Sequence, residues 1–299
     1  MGDYYGLRTE TISNGILSIE FLLDAGPRLV RMFHQDSEEN YLAELPDITH
    51  HTEYGTFYFR GGHRLWHAPE DILRTYVPDN EPIEVISAPD GVTLTQSVEI
   101  ATGIQKSIQI QFCPGSAKVT LQHTLLNKGA WAVTLSAWAI TQLPLGGIAI
   151  LPQTKARLDP HGLLPNRNLS IWPYTSIQDP RLTLLDDIIL VKADPALPPL
   201  KIGYANRAAW IGYYRNSTLF VKHFTPILDL PHPDFNCNTE TYCGNRFIEL
   251  ESLSPLSTIE PGESIVHSET WEIIPGLHLH LNPSGIRELI NQVSLNNIS

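Results

Sequence analysis

No cluster of lysine or arginine occurs anywhere in these 299 residues, and 20 basic against 32 acidic side chains leave a formal charge of −12. Nucleic acids and anionic membranes both require a basic footprint, so neither is an expected partner. No apolar run is long enough to cross a bilayer. The start, Met1-Gly2-Asp3-Tyr4-Tyr5, has neither the basic lead nor the apolar centre of a signal peptide, and no basic patch supports an acyl anchor at Gly2. A cytoplasmic location is the expectation. Cysteine is scarce: Cys113, Cys237 and Cys243 are too few for a disulfide framework and are not at zinc-ribbon spacing. Helical periodicity is also nearly missing.

What the chain does have is period-two alternation broken by turn residues. Asn14-Gly15 separates two β-rich runs and predicts a type I′ hairpin. Asp90-Gly91 predicts another, between 84–87 and 92–100. Over 106–126, Ile108, Ile110 and Phe112 alternate with polar residues, then Val119, Leu121 and Leu125 do so after Cys113-Pro114-Gly115-Ser116. His123 falls in the apolar phase, which suits a core histidine bonded to a backbone carbonyl. Further strands are expected at 131–142, 210–214, 219–224, 246–253 and 265–273. The stretch 143–200 is dense in proline and reads as an irregular layer, since proline opposes helices and central strands. Only 282–290 has a helical pattern, with Ser284 placed to cap it. The expectation is an all-β fold of antiparallel sheets in one domain, 1–299, with a short C-terminal helix.

Four segments carry the side chains that chemistry needs. Phe57-Tyr58-Phe59-Arg60-Gly61-Gly62-His63-Arg64-Leu65-Trp66-His67 sets two arginines, two histidines and a tryptophan around a Gly-Gly pair. Glycines there let the backbone turn sharply or approach a ligand closely. A hydroxyl-rich ligand suits such donors beside a stacking ring, although a buried aromatic corner with paired arginines reads equally well. In Phe247-Ile248-Glu249-Leu250-Glu251, the two glutamates share one face of a strand, roughly 7 Å apart at ~3.3 Å per residue. A carboxylate kept on an inner face is a candidate general base. Lys222 and His223 take opposite faces of Phe220–Phe224. Lastly, 232–242 is rich in short polar side chains, among them Asp234 and Glu240; local turn formation gives the same composition. A metal could be imagined on His63, His67 and Glu240, but no ligand spacing supports one, and no cofactor is expected.

Together these segments resemble the galactose mutarotase-like superfamily, which includes the aldose 1-epimerases and hexose-6-phosphate epimerases. Arg60-Gly61-Gly62 with Trp66 is similar to the Arg-Gly-Gly segment of the latter, and the resemblance implies that Arg60 contacts a sugar. Leu121 to Gly129 resembles the strand and Asn-x-Gly turn before the strand of the catalytic histidine. Glu251, then Glu260-Pro261-Gly262-Glu263, resembles the base-bearing strand and its Pro-Gly-Glu hairpin. Gly61 to Trp66 with Ala68-Pro69-Glu70 is closest to an uncharacterised branch. The resemblance implies a β-supersandwich with a sugar-sized cleft. It also implies epimerase chemistry, in which a glutamate deprotonates the anomeric hydroxyl and a histidine protonates the ring oxygen.

One departure matters. Where that histidine segment is expected, this chain has Leu135-Ser136-Ala137-Trp138-Ala139-Ile140. Glu251 is then the candidate base, with His63 or His223 as a relocated acid. Arg60, Arg64, Trp66, His67, Trp138, Lys222, Asp234, Glu240 and Glu249 are candidate ligand contacts. The sequence therefore predicts a sugar-binding protein, with aldose 1-epimerase-type isomerase activity as one reading. A sugar binder without catalysis, or a lyase or isomerase of other chemistry on the same scaffold, is the alternative.

Overall fold

The structure, a computed structural model, describes residues 1–196, 198–278 and 283–296. Two large antiparallel sheets pack face to face. The first runs in the order Gly2–Tyr4, Leu7–Ser13, Leu17–Leu22, Arg28–His34, His63–Ala68, Val133–Pro144, Phe247–Leu253, Thr239–Cys243, Leu200–Tyr204 and Ser170–Ile171. Ser257–Ile259 pairs with the start of Val133–Pro144. The second sheet has Ser264–Ile274 at its centre. Lys118–Asn127, Ile104–Phe112, Gly91–Thr95 and Glu84–Ala88 extend it one way. Thr218–Phe224, Trp210–Arg215, Ile148–Pro152, Ile188–Lys192 and Leu182–Leu184 extend it the other way.

The alternation seen in the sequence decides which side chains meet between the sheets. Ile108, Ile110, Leu121 and Leu125 of the second sheet share a buried cluster with Leu65, Ala137, Ile202, Ile248 and Leu250 of the first. Because strand side chains alternate, Arg64, Trp66, Trp138, Glu249, Glu251 and Lys201 must point out of the first sheet's other face. A separate two-stranded hairpin, Glu44–Thr52 with Gly55–Gly61, folds over that face. Its Phe57 and Phe59 pack on Trp66, Trp138, Ile140 and Leu253.

The Gly-Gly pair has a backbone reason. A Cβ on Gly61 would stand 1.9 Å from Ala43 O, and one on Gly62 1.9 Å from Leu29 O, at φ of +80° and +68°. The close approach is to the chain itself, where Gly62 N donates to Ala43 O at 2.9 Å.

Several local expectations change. At Asn14-Gly15 the hairpin forms, but only Gly15 is left-handed, and the Asn14 side chain closes the turn onto Ile16 and Leu17 N–H groups. That is an Asx-type closure in place of type I′. The strand after Asp90 ends at Thr95, short of 100. The proline-rich stretch 143–200 contains Ile148–Pro152, Ser170–Ile171, Leu182–Leu184 and Ile188–Lys192, because its prolines fall at strand ends and between strands. The C-terminal helix runs Pro283–Asn296, which puts Ser284 inside its first turn; Asn282 lies outside the described residues. No helix among the described residues is long and apolar enough to cross a membrane.

Candidate functional site: a buried polar recess on the outer face of the first sheet

Five adjacent strands place the site. Ile140 lies opposite both Arg64 and Glu251, Glu251 opposite Glu240, and Glu240 opposite Gly203. One step along, Gln142 pairs with Glu249, Glu249 with Tyr242, and Tyr242 with Lys201. Arg64, Gln142, Lys201, Glu240, Glu249 and Glu251 are all buried.

Lys201 is the hub. Its ammonium lies 2.8 Å from Glu240 Oε2 and 3.3 Å from Glu251 Oε2. It is also held between two indoles, 4.5 Å from the Trp138 ring and 4.7 Å from that of Trp172. Trp138 Nε1 donates to Glu251 Oε2 at 2.8 Å. Beside this group, Arg64 Nη2 donates to Glu249 Oε1 at 3.0 Å, and Gln142 Nε2 donates to the same oxygen at 2.9 Å. The Arg64 guanidinium stacks 4.1 Å from the Trp66 ring.

These groups do not satisfy one another. Glu240 Oε1, Glu251 Oε1, Gln142 Oε1, Arg64 Nε and Arg64 Nη1 are buried without a hydrogen-bond partner. Buried polar atoms are ordinarily bonded, and leaving one unpaired destabilises by roughly 1–3 kcal/mol. Their concentration on one face of the sheet makes this cluster the candidate site for a polar ligand. Half-buried aromatic side chains border it, Phe59, Tyr76, Trp172 and Tyr242, with the more exposed Tyr174 beside them. His50 lies against Tyr76, ring to ring at 4.7 Å.

The electrostatics are set by three carboxylates against two cations. Burial, then the neighbouring charge of Glu251, pushes Glu240 well above the usual carboxylate range, although Lys201 opposes this. Burial likewise raises Glu249 to about 7, with Arg64 pulling down and Glu251 pushing up. Lys201 is desolvated, yet the attraction of Glu240 and Glu251 holds its pKa above the ordinary lysine value. One ammonium cannot compensate two buried carboxylates, so Glu240 keeps a proton while Lys201 stays charged.

Of the residues expected from sequence, Arg64, Trp66, Trp138, Glu240, Glu249 and Glu251 come together here. Asp234 sits at the edge, near enough to raise Glu240. It lies in a tight turn with left-handed backbone at Asp234, Phe235 and Asn236. Arg60 is elsewhere: it binds Asp79 Oδ1 at 2.9 Å and Asn80 Oδ1 at 2.6 Å. His67 turns toward Glu99, 3.7 Å away. His223 is on the second sheet against Glu272 at 3.3 Å.

His63 and Lys222 belong to a different polar cluster, sealed between the sheets. His63 Nε2 and His123 Nε2 are 2.7 Å apart, His63 Nδ1 meets Thr141 Oγ1 at 2.9 Å, and His123 Nδ1 donates to His267 O at 3.0 Å. His123 is thus the core histidine that its apolar phase implies. Glu269 accepts from Lys222, Ser252 and Trp271. His63, His123 and Glu269 offer ligand atoms within 4.8 Å of one another. Every one of those atoms is already hydrogen-bonded, and the Lys222 ammonium 2.8 Å from Glu269 opposes a second cation, so this donor set does not fit a metal.

The sequence reading missed Lys201, Gln142 and the rim residues Trp172 and Tyr174. The signal for Lys201 was a lone charge in Leu200-Lys201-Ile202-Gly203-Tyr204, directly after the Pro198-Pro199 pair.

Neither a protein-family model nor a curated protein matches the sequence. Solved structures do share the fold. A galactose mutarotase-like protein from Lactobacillus casei superposes with a TM-score of 0.55 at 11% identity, over 89% of this chain and 100% of that one. A galactose mutarotase related enzyme from Lactobacillus acidophilus gives 0.54 at 9% identity, over 90% and 98%. A TPR-domain containing protein from Parabacteroides distasonis gives 0.60 at 16% identity, covering 92% of this chain and 50% of that chain, so this chain spans half the length of that protein. The fold is the galactose mutarotase-like β-sandwich; at these identities the likeness speaks to the fold.

Proposed function

We propose that this protein binds a sugar in the recess around Lys201 and catalyses interconversion of its anomers, acting as a cytoplasmic aldose 1-epimerase-type isomerase. The observation that carries this reading is the set of unpartnered buried donors and acceptors on Arg64, Gln142, Glu240 and Glu251 beneath half-buried aromatic rings. Sugars present hydroxyls at the edge and C–H faces above and below, which is the complement of that arrangement. The fold shared with proteins named as mutarotase-like supports the same class.

The acid–base roles follow from the protonation pattern. Opening a cyclic hemiacetal needs a base at the anomeric hydroxyl and an acid at the ring oxygen. Glu251, whose Oε1 is free while Trp138 and Lys201 hold Oε2, is the base. Glu240, kept protonated by burial and by its neighbour, takes the part that the sequence reading gave to a relocated histidine. The proton passes from Glu240 to the ring oxygen as Glu251 receives the anomeric proton; after rotation about the C1–C2 bond, the reverse transfers close the ring on the other face. Burial that favours the protonated form of Glu240 gives it the acid's part.

NMR exchange between the α and β anomers of glucose and galactose tests the reading. Wild-type protein should accelerate exchange, and Glu251→Gln and Glu240→Gln should each lower that acceleration roughly 10²-fold or more. Binding measured by calorimetry without any acceleration would favour the non-catalytic sugar binder. That second reading has its own observation, the tryptophan at the position where the related fold is expected to carry its histidine. If no sugar is bound and none is turned over, both fail.

A further inference from the structure

The recess holds more negative side chains than positive ones: Glu240, Glu249 and Glu251 against Arg64 and Lys201, all buried. Glu70 and Asp234 lie close enough to act on Lys201 and Glu240 respectively. The pairing is uneven. Glu249 has both Arg64 and Gln142, whereas Glu240 has only a share of the Lys201 ammonium. Unpartnered oxygens on Glu240, Glu251 and Gln142 gather in the same place, all of them acceptors once Glu240 gives up its proton. The unpartnered donors, Nε and Nη1, belong to Arg64, which is packed on Trp66 at 4.1 Å.

We propose that the recess selects an amino sugar, with the sugar ammonium seated against the free oxygens of Glu240 and Glu251, and that it rejects sugar phosphates. The inference rests on the sugar-binding reading and names the ligand class within it. An ammonium brings three donors and one positive charge to a place where two carboxylates share the single Lys201 ammonium. A phosphate brings negative charge against the glutamates, where the Lys201 ammonium is already shared between Glu240 and Glu251 and Arg64 is held on Glu249 and the Trp66 ring.

Among the protein's own groups, the imbalance favours a proton on Glu240. The titratable groups facing that side chain are Lys201 and Glu251 from the flanking strands, with Asp234 and Cys237 from the turn before it. A bound ammonium supplies the same positive charge, so it displaces the proton, and an amino sugar seated there is held without the acid that ring opening needs. Binding of an amino sugar is therefore coupled to proton release, and binding of a neutral sugar is not.

Calorimetric titration of the intact protein with glucosamine, glucose and glucose 6-phosphate tests this. The pH is set at 6, where the sugar amine is protonated, in two buffers of different ionisation enthalpy. The expected result is glucosamine at least roughly tenfold tighter than glucose, as a charge-assisted buried contact warrants. Net release of up to one proton should accompany glucosamine alone, and glucose 6-phosphate should bind weakest. In Glu240→Gln, the glucosamine-to-glucose ratio should fall to about one and the proton release should vanish. Glucose binding as tightly as glucosamine, or glucose 6-phosphate binding best, overturns this inference and leaves the sugar-binding reading standing. Failure of all three sugars to bind removes the sugar-binding reading itself and this inference with it.

Discussion

The indole of Trp138 donates to Glu251 Oε2 at 2.8 Å, from the neighbouring strand and two registers away from the residue directly opposite Glu251. This bond and the Lys201 contact fix one carboxylate oxygen and leave the other free in the recess. A tryptophan here both orients the carboxylate and gives Lys201 an aromatic face.

Replacing Trp138 by Phe keeps most of the ring and removes the N–H. The buried Glu251 then loses a donor with nothing to replace it. We expect a loss of about 1–3 kcal/mol in folding stability, read as a lower midpoint in urea with an unchanged slope, together with weaker sugar binding. An unchanged midpoint would mean that the indole N–H does not hold the carboxylate.

Glu240→Gln should stabilise the protein at alkaline pH. A carboxyl whose pKa is raised on folding contributes stability below its ordinary value near 4.5. That stability is lost as pH rises toward the folded value, by about 1.4 kcal/mol per pH unit. A neutral amide does not titrate. Urea midpoints of wild type and variant should therefore agree near pH 4.5 and diverge in favour of the variant by pH 8. Parallel profiles would show that Glu240 is not buried as a protonated acid.

The elements were more legible than the site, and strand parity explains why. Alternation over 106–126 located both strands, since Ile108, Ile110, Leu121 and Leu125 mark the core side unambiguously. In His63–Ala68 the two faces read alike: His63, Leu65 and His67 on one, Arg64, Trp66 and Ala68 on the other. Consecutive residues cannot share a face, so His63 and Arg64 could not both reach one recess. Nothing in the local sequence says which set is inside, because the core itself contains a polar layer of His63, His123, Lys222 and Glu269. Lys201 was hidden for another reason. Its five-residue strand is buried on both faces, so no polar–apolar alternation announces it. The glutamate pair was readable because two like residues at i and i+2 must share a face whichever side that is.

The core histidines predict acid sensitivity. Burial, opposed in part by Glu269, holds His267 at about 3, and His63 and His123 are also lowered mainly by burial. Each is neutral when folded but takes a proton near pH 6.5 when unfolded. Below that point the unfolded chain binds more protons, and stability falls by about 1.4 kcal/mol per pH unit for each such group. Glu240 and Glu249 titrate in the opposite sense between pH 4.5 and their raised values, so the total slope mixes both effects. His267→Gln can keep the bond to Ser252 and does not titrate, which isolates one histidine. Its stability should fall less steeply than wild type between pH 6.5 and 4.5. Identical slopes would place the proton elsewhere.

Lys222 ties the two sheets together beneath the recess. Its ammonium donates to Ala139 O at 3.2 Å and Leu250 O at 3.0 Å on the first sheet, and is 2.8 Å from Glu269 Oε1 on the second. Those two carbonyls belong to the strands that carry Trp138, Glu249 and Glu251. Lys222→Met leaves Glu269 charged, buried and without its cation, and should cost about 3–5 kcal/mol. Adding Glu269→Gln removes the stranded charge, while the amide oxygen can still accept from Trp271 Nε1 and the amide nitrogen can donate to Ser252 Oγ. The double variant should therefore recover most of that loss, because a buried ion pair replaced as a unit is often near neutral. Chemical denaturation of wild type, both single variants and the double variant closes the cycle. If the two single losses simply add, the ammonium and the carboxylate do not act as a pair, and the link from the core to the strands of the recess runs through other side chains.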